Sequence, residues 1–236
     1  MSESLSEPQL LIPYESMLKA GTHFGRKKTV YNPGMKKYVF TVRDGICIID
    51  LLKTQTELQT ALDYLKSVLE RKGLVLFVSL TKQSAEGIKD LAESLGMPYV
   101  LERWIGGTLT NFKELNNRVK KMEEMERQRA AGELDKYTKK ERTVFDKELQ
   151  KMEKHFGGVR KLTRIPDVLF VSSLKEGALP VREAKRAGVK VVSICNTDSN
   201  PQDVNFPIPA NDKSKKSVDL IIGALKDHLK MNNTNA

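Results

Sequence analysis

The sequence predicts an α/β protein: a parallel β-sheet with helices on both faces and an inserted α-helical hairpin. Three observations carry this reading. The apolar runs "LVLFVSL" (74–80), "PDVLFVSS" (166–173) and "VKVVSIC" (189–195) are continuous rather than alternating, as strands buried on both faces must be. Amphipathic helical patterns alternate with them, and strand–helix–strand repetition builds parallel strands joined by crossover helices. From Thr110 to Val159 the strand signal vanishes, and Phe145, Leu149, Met152, Phe156 and Val159 recur at heptad spacing, the mark of a coiled coil.

Taken in order, residues 1–16 read as a flexible N-terminal arm, 17–109 and 160–230 as the α/β domain, 110–159 as the hairpin and 231–236 as a flexible tail. The opening "MSESLSEPQL" carries Glu3 and Glu7 and no basic residue, unlike an organellar transit peptide or a secretory signal, so a cytosolic protein is expected. From Lys19 to Arg43 there are seven Lys or Arg and no acid, with Gly21, Gly25 and Asn32-Pro33-Gly34 as turn points. A short basic arm of this kind is expected to gain order on contact with its partner. "YVFTVRDGICIID" reads as β structure turning at Asp44-Gly45. Thr54 is placed as the cap of a helix in which Leu58, Ala61, Leu62, Leu65 and Leu69 share a face, with Gly73 ending it. "TKQSAEGIKDLAESLG" is a second helix closed by Gly96, and "MPYVLE" a short strand. In the hairpin, Leu115, Val119 and Met122 form the facing stripe and Gly132 lies at the bend. "GALPVREAKRAG" is a helix, and after "NFPIPAN" a last helix runs from about Ser214 to Lys230.

The bulk numbers narrow the function. In 236 residues, 40 Lys+Arg oppose 30 Asp+Glu, a net charge of +10, which favours a polyanionic partner. The hairpin region 113–164 alone carries 16 basic against ten acidic residues. Hydrophobic residues make up 39% and aromatics 6%, enough for one mostly aliphatic core. Cys47 and Cys195 lie inside apolar runs and read as buried thiols, not as a disulfide or metal pair. No apolar stretch reaches the ~20 residues of a membrane span.

The same elements carry none of the common enzyme motifs. There is no G-x-G-x-x-G or Walker loop at a strand–helix junction, no G-x-S-x-G elbow, no H-E-x-x-H and no Cys/His cluster; no metal, cofactor or catalytic residue is expected. His155 and His228 read as edge histidines. Asp44 with Asp50, and Asp198 with Asp203, fall at strand ends or loops without a partner base. One stretch raises a phosphate question: in "ERWIGGTLTNFKEL" (102–115), Gly106-Gly107 stands where a strand gives way to a helix, a common anion cradle. It could serve a nucleotide, a nucleic-acid backbone, or only a tight corner.

Several motifs, in order along nearly the whole chain, resemble those of one family. They are "AGTHFGRKKTVYNPGM" (20–35), "FVSLTKQSA" (77–85), "RWIGGTLTNF" (103–112), "YTKKE" (137–141) with "HFGGV" (155–159), "IPDVLFVSS" (165–173) and "NPQDVNFPIPANDKS" (200–214). Together they resemble bacterial-type ribosomal protein two of the small subunit, from roughly Met17 to Leu229. The resemblance implies a flavodoxin-like α/β domain with a protruding coiled-coil hairpin, a structural ribonucleoprotein role in translation, and binding to small-subunit ribosomal RNA. It further implies neighbouring ribosomal proteins as partners, among them the large messenger-RNA-capturing protein, no membrane and no homo-oligomer, in a bacterial or organelle-encoded cytoplasmic ribosome. The chain departs from the family pattern at Arg26 (a histidine is usual), Ser173 (an aspartate), Asp198-Ser199-Asn200 and Ala210, and Lys213, Lys215 and Lys216 make its last loop more basic.

On that basis Arg26, Lys27, Lys28, Lys36, Lys37 and Arg103 are the expected phosphate contacts, with Phe24, Asn32, Gly106 and Gly107 beside them. His23 and Trp104 are candidate stacking groups for unpaired bases, Trp104 alternatively packing the hairpin base. Thr108, Thr110 and Asn111 either cap the first hairpin helix or reach RNA. Arg160, Lys161 and Arg164 extend the set at the hairpin exit, while the hairpin tip is expected to dock protein. The alternative is a nucleotide- or phosphometabolite-binding α/β enzyme.

Overall fold

The computed structural model describes residues 10–132, 134 and 138–230. Its centre is a five-stranded parallel sheet of β4 (Val75–Ser79), β5 (Tyr99–Leu101), β6 (Val168–Val171), β7 (Lys190–Cys195) and β8 (Phe206–Pro209). The strand order β5-β4-β6-β7-β8, counted from β4, is the 2-1-3-4-5 order of flavodoxin-like sheets. Each central strand sends alternate side chains to two cores. Val75, Phe77, Val168, Phe170, Val192 and Ile194 face α2 (Leu51–Glu70), α3 (Lys82–Leu95) and α7 (Lys215–Lys230). Leu76, Val78, Leu169, Val171, Val191 and Cys195 face α6 (Ala178–Arg186) and the hairpin base. This double burial is why the strands read as unbroken apolar runs.

The hairpin is α4 (Phe112–Ala130) and α5 (Lys139–Phe156). Leu115, Val119, Met122 and Met125 meet Leu149 and Phe156, with Phe145 and Met152 partly buried beside them. Lys121–Glu148 (2.9 Å) and Arg129–Asp146 (3.4 Å) link the helices at the surface. Val159 is buried in a 3-10 turn beyond α5. Thr138 and Glu141 form a reciprocal capping box that starts α5; Tyr137 and the tail 231–236 lie outside the described residues.

A smaller antiparallel sheet, in the order β1-β3-β2, precedes the large one: β1 (Phe24–Lys27), β2 (Val39–Arg43) and β3 (Ile46–Ile49). Successive positive φ at Asp44 (49°) and Gly45 (74°) make the β2–β3 turn the primed type that matches strand twist.

Four expectations need correction. The loose arm over 1–16 does not reach its stated end: Ile12 is buried, and α1 (Tyr14–Ala20) follows at once; residues 1–9 lie outside the described residues. Asp50, not Thr54, caps α2, accepting from the Leu52 N–H at 3.0 Å. Thr54 is buried one turn in and donates to the Pro209 carbonyl at 2.7 Å. Gly73 does not end α2; Arg71 is its cap and Lys72 takes the left-handed φ of 56°. A Cβ at Gly73 would stand 2.5 Å from Val68 Cγ1, so close approach requires the glycine. Finally, "NFPIPAN" contains β8, hidden in the sequence by Pro207 and Pro209, which an edge strand tolerates.

Candidate nucleic-acid interface

The Gly106-Gly107 turn does hold an anion, and the anion belongs to the protein. The Glu183 carboxylate, on α6, accepts from the Trp104 indole Nε1–H (3.0 Å), the Gly107 N–H (2.9 Å) and the Leu109 N–H (3.1 Å). Gly107 has φ 91°, a left-handed conformation that aims its amide into this nest. Burial raises the Glu183 pKa, but these hydrogen bonds outweigh it and hold the carboxyl below its ordinary value. Glu183 thereby ties the start of the hairpin to the α/β domain. The sequence did carry a signal: Glu183 lies three residues after Pro180 on the stripe that buries Pro180, Val181 and Ala184.

That geometry decides several site residues. Trp104 is 5% exposed and offers no face to a base, so its role is packing the hairpin base. Thr108 is buried and donates to the Ile105 carbonyl at 2.6 Å. Asn111 occupies the N-cap position of α4 but makes no side-chain capping bond, contrary to the capping expected of it. Gly106, Thr110 and Arg103 are exposed on the same loop. At the hairpin exit, Arg160 is ion-paired to Glu126 and, at 3.9 Å, to Glu153. Arg164 bonds Asp167 at 2.8 Å. Both arginines are committed within the protein, while Lys161 is exposed.

The basic segment is built into the fold rather than left as an arm. The loop after β7 grips it from Gly25 to Gly34. Thr197 Oγ1 accepts from the Arg26 N–H (2.7 Å) and its carbonyl from the Asn32 N–H (2.9 Å). The Arg26 side chain, expected on phosphate, lies against Asp198 Oδ2 at 3.3 Å, which Lys175 also reaches at 2.8 Å. The Asp198 side chain is 2% exposed; burial raises its pKa, and the two cations outweigh that and leave it lowered. A Cβ at Gly25 would meet Thr197 at 2.6 Å, so the contact requires glycine there. Asn32 accepts from the Gly34 N–H at 2.9 Å and caps the 3-10 turn Pro33–Tyr38.

Held this way, Lys27, Lys28, Lys36 and Lys37 are exposed and form no ion pair among the described residues. Phe24 is 47% exposed. The His23 ring is half-buried, 4.1 Å from the Phe24 ring centroid, and burial holds its pKa below the ordinary imidazole value. Asp198→Ala is expected to release the Arg26 anchor and speed amide exchange at Arg26 and Asn32 by about tenfold, with amides of β4 and β6 unchanged; unaltered exchange at Arg26 and Asn32 would show that the clamp does not depend on the ion pair.

The sheet's switch point, at the carboxyl ends of β4 and β6, is where ligands of such sheets dock. Here the hydroxyls of Ser79, Ser84 and Ser172 bond to one another (2.6 and 2.8 Å). Alongside, Ser173 donates to Asp212 Oδ2 (2.5 Å), and Asn196 to Asp212 Oδ1 (2.9 Å). No group of three or more potential metal ligands occurs among the described residues, and none of their helices is long and apolar enough to cross a membrane.

Similarity to known proteins agrees with this geometry. Residues 17–231 match the family model described as Ribosomal protein S2. A protein of Fusobacterium nucleatum named "Small ribosomal subunit protein uS2" is 42% identical over 216 residues, covering 91% of this chain and 87% of its own length. Proteins of the same name from Parabacteroides distasonis (40%, covering 91% and 77%) and Coprothermobacter proteolyticus (38%, covering 92% and 81%) are similar throughout. Family model and relatives cover nearly the whole chain, and the chain belongs to the ribosomal protein S2 family of the small ribosomal subunit.

Proposed function

We propose that this protein is a structural constituent of the small ribosomal subunit, that it binds small-subunit ribosomal RNA, and that it catalyses no reaction. The observation that carries this is the basic segment: Lys27, Lys28, Lys36 and Lys37 make no ion pair among the described residues and are presented on a backbone that the Thr197–Asp198 loop holds in place. A preformed cationic surface gives a phosphate backbone its register without ordering the protein first. Lys161 and Arg103, with exposed Phe24 and Thr110, extend the RNA-facing set; His23, half-buried against Phe24, is a stacking candidate. Trp104, Arg26, Arg160 and Arg164 act indirectly, by holding the scaffold. The reading places the protein in the cytoplasmic ribosome, with neighbouring ribosomal proteins, including the messenger-RNA-capturing one, at the hairpin, and as a single copy.

The experiment is equilibrium binding of the full chain to purified small-subunit ribosomal RNA and to an unrelated RNA of equal length. Preference for the former by at least about tenfold at physiological salt is expected; equal affinity would overturn specific binding. The enzyme reading is opposed by the self-bonded Ser79–Ser84–Ser172 cluster and by Glu183 in the glycine nest. A saturable thermal stabilisation by any nucleotide at micromolar concentration would revive it.

A further inference from the structure

The carboxyl-terminal edge of the parallel sheet holds a cleft away from the glycine turn. It measures about 470 Å³ and lies between the start of α6 and the loop after β7, within the ~300–1,000 Å³ range of ligand-sized clefts. Leu174, Ala178 and Val181 line its apolar side, Asp198 and Ser199 its polar side. Asn32, which caps the turn carrying Lys36 and Lys37, belongs to the same wall. The cleft therefore continues the basic segment.

Its polar side is incomplete. Asp198 Oδ2 is shared by Arg26 (3.3 Å) and Lys175 (2.8 Å), while Oδ1 of the same carboxylate has no hydrogen-bond partner. Ser199 is 5% exposed, and its Oγ has none either. Both atoms are shielded from solvent. Buried polar atoms without partners are rare, and a carboxylate oxygen above all requires a donor. The charges around the cleft are of both signs. Lys175 is paired with Asp198, and Lys185 with Asp203 at 2.6 Å. Arg182 also lines the cleft; it is exposed and makes no hydrogen bond or ion pair among the described residues. One cation is left over for an anion.

We propose that this cleft takes one unpaired adenine or cytosine nucleotide of the bound RNA, its base over Leu174, Ala178 and Val181, its amino group donating to Asp198 Oδ1 and its phosphate on Arg182. The inference rests on the RNA-binding reading and adds a base-reading site to it. A small turn of the Asp198 carboxylate and the Ser199 side chain brings both to the cleft. Ser199 then donates to the ring nitrogen beside the amino group. Unpaired bases are read in this way, by their edges. Uracil presents a carbonyl where the amino group stands, and a carboxylate accepts but does not donate. An arginine or lysine from a protein would satisfy Oδ1 but meet Lys175, Arg182 and Lys185. Inorganic phosphate would leave Oδ1 without a donor.

The test uses the full chain and single-stranded oligomers, about eight nucleotides long, of adenosine, cytidine or uridine. Fluorescence anisotropy at fixed salt is expected to show the first two bound at least about tenfold tighter than the third. Ala178→Trp, which fills the cleft from an exposed helix position, is expected to erase the preference, and Ser199→Ala to cut it about threefold. Ala178 is exposed and Ser199 Oγ has no partner to strand, so both variants are expected to melt at the wild-type temperature. On small-subunit ribosomal RNA, dimethyl sulfate should find one unpaired adenine or cytosine protected by wild type and open with Ala178→Trp. Equal affinity for the three oligomers, with ribosomal RNA still bound specifically, would overturn this proposal and leave the RNA-binding reading standing. A preference unchanged in Ala178→Trp would place the discrimination elsewhere and overturn it. Micromolar binding of free adenosine monophosphate would assign the cleft to a metabolite, with the same result.

Discussion

Glu183→Ala is expected to destabilise the protein by about 3–5 kcal/mol, a fall of roughly 10 °C in melting temperature for a chain of this size. The substitution removes one carboxylate and strands the Trp104 indole N–H and the amides of Gly107 and Leu109. A buried donor left without an acceptor loses its full desolvation cost, whereas the hydrogen bond itself contributes less. Glu183→Gln keeps an acceptor oxygen but turns an amide toward other donors, so an intermediate loss is expected. The pH dependence follows the sign of the shift. The folded carboxyl titrates below its unfolded value, so its stabilisation is complete above the ordinary carboxylate range and is lost as pH falls through the folded pKa. Asp198 shifts in the same direction and adds to the acid sensitivity. Thermal melts of wild type and Glu183→Ala between neutral and acid pH should therefore converge at the acid end. A constant gap would show that Glu183 is not ionised in the nest.

Replacing Lys27, Lys28, Lys36 and Lys37 together with alanine is expected to produce the largest functional loss while leaving the fold intact. All four are exposed and make no ion pair among the described residues; Lys37 Nζ lies 4.6 Å over the Tyr38 ring, so removing them forfeits that contact but strands no buried polar group. Every lysine taken off a phosphate flattens the dependence of log affinity on log salt by about one unit, so the fourfold variant should lose up to about four units of slope. Arg26→Ala should behave differently. Its guanidinium is held by Asp198, and its loss should loosen the segment as Asp198→Ala does, with a small change in salt slope. If Arg26→Ala instead removes a full unit of slope, the side chain leaves Asp198 for phosphate in the complex.

The sheet was legible because burial on both faces forces continuous apolar strands, and the hairpin because heptad spacing leaves few other readings. The helix ends at Thr54 and Gly73 were less so. Asp50 competes with Thr54 for the same cap and wins by position. Gly73 is required by the packing of Val68, a contact that spacing does not reveal. β8 was masked by its prolines, which only an edge position permits. The candidate site was half legible. Composition located the basic segment, but which cations are free depends on contacts between residues far apart in the chain. Arg26 meets Asp198 across 172 positions, and Trp104 meets Glu183 across 79. The glycine turn stayed open between an anion cradle and a tight corner; the buried stripe of α6 marks Glu183 as an acid to be satisfied, but spacing does not reveal that this helix packs against the turn.

The measurement that bears most directly on the central claim is co-sedimentation of the native full-length protein with small ribosomal subunits depleted of their own copy, across a range of salt concentrations. The account predicts stoichiometric association at physiological salt, a steep loss as salt rises, and a marked weakening with a shallower slope for the four-lysine variant. Association that is indifferent to salt and equal for wild type and variant would contradict it.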